Sequence, residues 1–322
     1  MKQLVVVNSF GPMASTLVSG LLETMGYLNV PVRKLGLHRY LMGQLSLDSG
    51  YMQSRIENIL TEHAKASLSG GVSVMDRADQ EAKSRVDLDL VRDSLEAYRA
   101  KKFGSIQELY NATKELYAKA VTYKSVCYQT GRHIELTVDV PRYNFKVLQQ
   151  RYLEEFDSVK FIHLHRPFRT WIASTASQSF VHPHIKSRYY FFPHKRYEDF
   201  QKYEQTTRSA EGIQLEFSDL FDLGVEQLYD RISDYIEGPA RPDNLREIDY
   251  DMYGKFVSFK KAFTPFDAEV AYLSETSLDY FDKQIIKNNF KNPFGCYVAW
   301  LKYVYDMHQF RQKMKSIAKA QG

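Results

Sequence analysis

Val5-Val6-Val7-Asn8-Ser9-Phe10-Gly11-Pro12-Met13-Ala14-Ser15-Thr16-Leu17-Val18 decides the fold. A short apolar run passes through small residues into an amphipathic stretch, which predicts strand, turn and helix. A helix that starts just after a strand leaves its first N–H groups unpaired, and its dipole favours an anion there. Gly11 and Ala14 keep the turn slim, and Ser15 and Thr16 add hydroxyl donors. A plain helix cap is the alternative, since Ser and Thr favour that position without any ligand. Neither Gly-x-x-x-x-Gly-Lys-Ser/Thr nor Gly-x-Gly-x-x-Gly is present, which disfavours an ordinary nucleoside triphosphatase or a dinucleotide enzyme.

A second segment, Val159-Lys160-Phe161-Ile162-His163-Leu164-His165-Arg166-Pro167, predicts a strand that ends on an arginine. Open parallel sheets place ligands outside the carboxyl ends of their strands. Arg166 there is a planar, permanently charged donor suited to phosphate. Trp171-Ile172-Ala173 begins a helical stretch that returns Ser174, eight residues after Arg166, to the same region. Taken alone, Arg166 in a surface ion pair and Ser174 on a helix face is the simpler reading. The two segments in this order imply a nucleotide with phosphates at both ends.

In these segments the chain resembles the sulfotransferases that use 3′-phosphoadenosine-5′-phosphosulfate (PAPS). Gly11, Pro12, Met13, Ala14, Ser15 and Thr16 take the place of the loop that binds the 5′-phosphosulfate. Arg166 and Ser174 take the place of the 3′-phosphate pair. Thr137-Val138-Asp139-Val140-Pro141-Arg142-Tyr143 is similar to the segment before the family's central helix. Ile213-Gln214-Leu215-Glu216-Phe217-Ser218-Asp219-Leu220 is similar to its later strand. The resemblance implies a P-loop NTPase-like sulfotransferase architecture, an α/β fold with a central, mostly parallel sheet flanked by helices. It implies PAPS as sulfuryl donor and a hydroxyl or amine acceptor on a saccharide or small metabolite.

The chain departs from the family where the loop's basic residue aligns with Pro12 and its glycine with Ala14. Sulfuryl transfer builds negative charge that a cation normally stabilises. Arg33, Lys34 or the Lys255, Lys260, Lys261 cluster would have to replace it; otherwise the protein is a catalytically silent nucleotide-binding relative. Asp139 aligns with a family base position, and His38 is the neutral-pH base near the first helix. Both also have bland readings, Asp139 as a turn cap before Pro141 and His38 as a surface histidine.

A chain of 322 residues with 44% hydrophobic and 25% charged residues fits a globular protein. The net charge of +4 is too mild to argue for nucleic acid. Cys127 and Cys296 cannot make a disulfide framework, so a reducing compartment is expected. The opening apolar run is too short for a signal peptide, and no run reaches a membrane span. A cytoplasmic setting follows as the expectation. No metal site is expected, because His182 and His184 lack further ligands at a fixed spacing.

The expected organisation is a single domain over 1–322. It carries a helical insertion at about 50–125, with apolar periodicity over Ser54 to Leu68 and Leu88 to Tyr98. A further amphipathic helix is expected over Asp222 to Glu237. The last, about 297–318, packs on the core or mediates self-association. His182 to Arg196 reads as an aromatic and basic loop that either holds an anionic acceptor or simply packs. Asp243 to Asp267 reads as loop.

Overall fold

The computed structural model describes residues 3–10, 13–29, 35–68, 85–86, 88–122, 131–137, 144–168, 171, 193–252, 255–258 and 305. The chain divides into two compact units. One comprises Met1–Ser9, Ala14–Leu164 and Thr206–Thr264; the other comprises Phe10–Met13, His165–Gln205 and Pro265–Gly322.

The first unit is built on strands β1 (Gln3–Asn8), β4 (Arg132–Thr137), β5 (Val159–His165) and β6 (Ile213–Glu216), in the sheet order β4-β1-β5-β6. β1 pairs in parallel with β4, Asn8 opposite Thr137, and with β5, Asn8 opposite His163. Val5, Val6 and Val7 are fully buried, as expected of a central parallel strand covered on both faces. This is the α/β parallel sheet expected from the sequence.

Helix α1 (Ser15–Thr24) follows β1 and buries Leu17, Val18, Leu21 and Leu22. Gly26, at φ 87, turns the chain out of it. Between α1 and β4 lie α2 (Leu37–Leu41), α3 (Tyr51–Leu68), the short strand β2 (Arg85–Val86), α4 (Leu88–Ala100), α5 (Ile106–Ala120) and β3 (Val121–Thr122). The three longer helices of this stretch pack on one another, and β2 and β3 form a small antiparallel pair. α6 (Phe145–Glu155) joins β4 to β5, its start capped by the Asn144 side chain, which accepts from the Val147 N–H.

Helix α7 (Pro193–Arg208) leads to β6. Pro193 to Arg196, expected in a loop, are its first turn, a position where proline fits because its missing N–H has no helical partner anyway. After β6 come α8 (Asp219–Asp222) and α9 (Gly224–Ile236). α9 buries Val225, Leu228, Tyr229, Ile232 and Ile236, the apolar face expected from its periodicity. Asp243 to Asp267 is not all loop. It contains a 3₁₀ turn at Leu245–Glu247 and an antiparallel hairpin of β7 (Asp249–Met252) and β8 (Lys255–Ser258), with β7 packed against α1. Of the expected helix at 297–318 only Tyr305, which is helical and exposed, lies among the described residues.

Candidate functional site

The chain leaves β1, returns on one side as β4, and then crosses to the other side as β5 and β6. The order reverses between β1 and β5. A doubly wound sheet opens a crevice outside the carboxyl ends of its strands at that point. The register puts Asn8 and His163 there.

A polar ladder closes the strand ends in the first unit. The Thr137 hydroxyl donates to Asn8 Oδ1 at 2.6 Å. The Asn8 amide meets His163 Nδ1 at 3.1 Å, and His163 Nε2 meets the Glu211 carbonyl at 2.9 Å. A carbonyl can only accept, so Nε2 carries the proton and Nδ1 accepts from Asn8. All three side chains are buried. Gly212 is required beside this ladder: at φ 138, a Cβ would sit 2.6 Å from the Phe161 carbonyl oxygen and 2.8 Å from His163 Nε2.

Beyond Asn8 the first unit presents unspent donors. Ser9 is fully buried, and its hydroxyl has no partner among the described residues. Ala14 caps α1 in the left-handed region, φ 60 and ψ 25, without a side-chain hydrogen bond. That conformation is costly for a residue with a Cβ and natural for glycine. Leu17 and Val18 both donate to the Ala14 carbonyl, at 3.0 and 3.2 Å. The Ser15 and Thr16 N–H groups therefore stand at the open head of the helix. Neither hydroxyl makes a hydrogen bond among the described residues, so neither residue acts as the helix cap. Ser15 is buried and Thr16 half-buried.

The second unit holds Phe10–Met13 together with Arg166. Arg166 directly follows β5 in the chain and is only 5% exposed. Burial lowers its pKa to about 10, so the guanidinium keeps its charge at neutral pH inside a desolvated setting. Phe10, Phe168, Trp171, Phe200 and Tyr203 form a buried aromatic cluster in the same unit. His165 Nδ1 meets Glu204 Oε1 at 3.0 Å.

Of the residues proposed from sequence, Met13, Ala14, Ser15, Thr16, Arg166 and His38 are described. Gly11, Pro12, Asp139, Ser174, Arg33 and Lys34 lie outside the described residues. Met13 is buried, and its sulfur accepts from the Phe10 N–H at 3.2 Å. His38 is half-buried on α2, which packs against α5 and α6. Sequence reading passed over Ser9, Asn8, His163 and Trp171. Their only signal was position, each one or a few residues from a strand end that the motifs had already marked.

Among the described residues no helix is long and apolar enough to cross a membrane, and no group of three or more His, Cys, Asp or Glu could hold a metal ion. No protein-family model and no curated protein sequence matches the chain. Several solved structures are similar to it, including two sulfotransferase domains. One is the sulfotransferase domain from the Synechococcus PCC 7002 olefin synthase, at 12% identity and TM-score 0.45, covering 95% of this chain and 94% of that one. The other is the sulfotransferase domain from the curacin biosynthetic pathway, at 14% identity and TM-score 0.48, covering 89% and 98%. Both are sulfotransferase domains.

Proposed function

We propose that the protein is a sulfotransferase that takes its sulfuryl group from PAPS and passes it to a hydroxyl or amine on a saccharide or small metabolite. The observation that carries this reading is the state of the β1–α1 turn. Its cap is a strained Ala14, and it leaves two hydroxyls, two helix-head N–H groups and the buried Ser9 hydroxyl unspent among the described residues. A buried hydroxyl without a partner costs free energy, and an anion at the helix head would give these donors an acceptor. The donor set fits PAPS: hydrogen-bond donors after β1 suit the 5′-phosphosulfate, and the buried guanidinium after β5 suits the 3′-phosphate.

In this reading Ser15, Thr16 and the helix-head N–H groups hold the 5′ end, and Arg166 with Ser174 holds the 3′ end. Bound PAPS supplies a sulfuryl group on a phosphate leaving group. Asp139, or His38 in its place, takes the proton from the acceptor as its oxygen or nitrogen bonds to sulfur and the sulfur–phosphate oxygen bond breaks. Arg33, Lys34 or the lysines at 255, 260 and 261 neutralise the leaving oxygen, because Pro12 cannot. Two cysteines in the whole chain favour a reducing compartment such as the cytoplasm.

Pro12 supports a second reading, a nucleotide-binding relative that has lost the chemistry. The test is transfer of labelled sulfate from PAPS to a panel of glycans, phenols and small hydroxylated metabolites. Transfer by the natural chain supports the enzyme. Transfer that emerges only in Pro12→Arg supports the silent relative. Tight nucleotide binding is common to both, and its absence contradicts both.

A further inference from the structure

Three buried polar side chains stand where a central parallel sheet ordinarily packs apolar ones. Asn8, Thr137 and His163 lie side by side on β1, β4 and β5, and none is more than 6% exposed. Such a row adds little net stability over apolar packing. With its members hydrogen-bonded it fixes one geometry instead. The His163 ring is held from three directions. The Phe145 ring meets it edge-on at 5.6 Å, the Phe161 ring lies parallel at 6.4 Å, and the Glu211 carbonyl accepts from Nε2 at 2.9 Å. The Gln149 amide of α6 donates to the same carbonyl at 2.8 Å. His163 thus presents Nδ1 to the Asn8 amide in one orientation.

Thr137 ties the tip of β1 twice. Its hydroxyl donates to Asn8 Oδ1 at 2.6 Å, and its carbonyl accepts from the Ser9 N–H at 2.9 Å. Residues 8 and 9 are therefore pinned through the Asn8 side chain to both neighbouring strands and through the Ser9 backbone to β4. The Ser9 bond carries the β1–β4 ladder one residue further, so strand alternation sends the Ser9 side chain to the face opposite Asn8. There its hydroxyl is fully buried and has no partner among the described residues. A donor already held in place loses less freedom when its acceptor arrives.

We infer that Asn8, Thr137 and His163 are positioning residues: the buried row holds the tip of β1 so that the Ser9 hydroxyl stands ready as a donor to an anion at the start of α1. This rests on the donor reading above. The row, Ser9 and α1 all belong to the first unit.

A double-mutant cycle on the full chain tests it, read by calorimetric titration with 3′-phosphoadenosine-5′-phosphate (PAP). Thr137→Val keeps the shape and removes the hydroxyl, and Thr137→Ser keeps the hydroxyl. His163→Phe keeps a ring without its nitrogens and serves if Thr137→Val does not fold. Each is made in the natural chain and in Ser9→Ala. Ser9→Ala alone is expected to weaken PAP binding about tenfold. Thr137→Val and His163→Phe each weaken it about three- to tenfold in the natural chain but less than about twofold in Ser9→Ala, while Thr137→Ser stays within about twofold of the wild type. Weakening that is the same with and without the Ser9 hydroxyl overturns the positioning role, because a row that only stabilises the sheet acts in both backgrounds alike. No weakening in Thr137→Val and His163→Phe, or a Ser9→Ala that binds PAP as the wild type does, overturns it too. A wild type that does not bind PAP overturns the donor reading itself.

Discussion

Lys114 offers a test of the fold that is independent of any ligand. It lies on α5 at 2% exposure, with its ammonium 2.7 Å from the Ile134 carbonyl and 5.2 Å from the Tyr110 ring centre. Tyr110 donates to Glu135 at 2.8 Å in the same buried cluster. Burial lowers the Lys114 pKa from 10.5 to about 8, with Glu135 and Glu23 pulling the other way. The folded pKa lies below the unfolded one, so between them the unfolded chain holds more protons, and stability rises with pH through about 8 to 10. At about 1.4 kcal/mol per pH unit, the drop corresponds to about 3 kcal/mol, of which about 2–3 kcal/mol is recovered between pH 7 and 10. Lys114→Met keeps most of the volume and removes both charge and donor. At pH 7, loss of the hydrogen bond to Ile134, about 1–3 kcal/mol, is offset by release of the desolvated charge. The variant should therefore match the wild type near pH 7 and fall behind it by about 2–3 kcal/mol at pH 10. Guanidinium unfolding followed by circular dichroism at each pH gives both curves. Taking the difference cancels the buried Tyr27 and Tyr98, which burial pushes up to about 12 and which lower stability above pH 10 in both proteins. A difference that stays flat within about 0.5 kcal/mol from pH 7 to 10 refutes the buried charged lysine.

Three further outcomes follow from particular contacts. Gly212→Ala should cost at least about 3 kcal/mol in the same unfolding assay, because its Cβ meets both the Phe161 carbonyl oxygen and the buried His163 ring; a loss below about 1 kcal/mol contradicts the tight approach to Phe161. Asn8→Ala strips a partner from both Thr137 and His163, and a loss of about 2–4 kcal/mol is expected; a neutral result means the ladder does not hold the strand ends. Ala14→Gly relieves the left-handed cap and should leave stability unchanged or raise it by up to about 1 kcal/mol, whereas a clear destabilisation contradicts that backbone conformation.

The sheet was legible because its strands are buried on both faces and read as short apolar runs, Val5 to Val7 and Phe161 to Leu164. α9 was legible because its apolar residues repeat at helical spacing. The β7–β8 hairpin was not, since Asp249 to Ser258 is short and mixes Asp and Lys with Tyr, Met, Phe and Val without a clear alternation, so its pairing is set by contact rather than pattern. Pro193 to Arg196 read as loop because proline and clustered cations hide a helix start. At the site, the turn after β1 and Arg166 were visible as motifs. Ser9 was not, because an unpaired hydroxyl is defined by what surrounds it. The Trp171 bond to Phe10 spans 161 residues, a pairing that no local pattern encodes.

Under the proposed function, the donors after β1 and Arg166 would hold the two phosphate ends of one nucleotide. Calorimetric titration of the wild type and Arg166→Ala with PAP tests it most directly. Losing a charge-assisted phosphate contact costs about 1.5–3 kcal/mol, so Arg166→Ala should bind PAP roughly 10- to 150-fold more weakly while its affinity for AMP hardly changes. Equal PAP affinity in the two proteins, or a wild type that prefers AMP to PAP, would contradict the account.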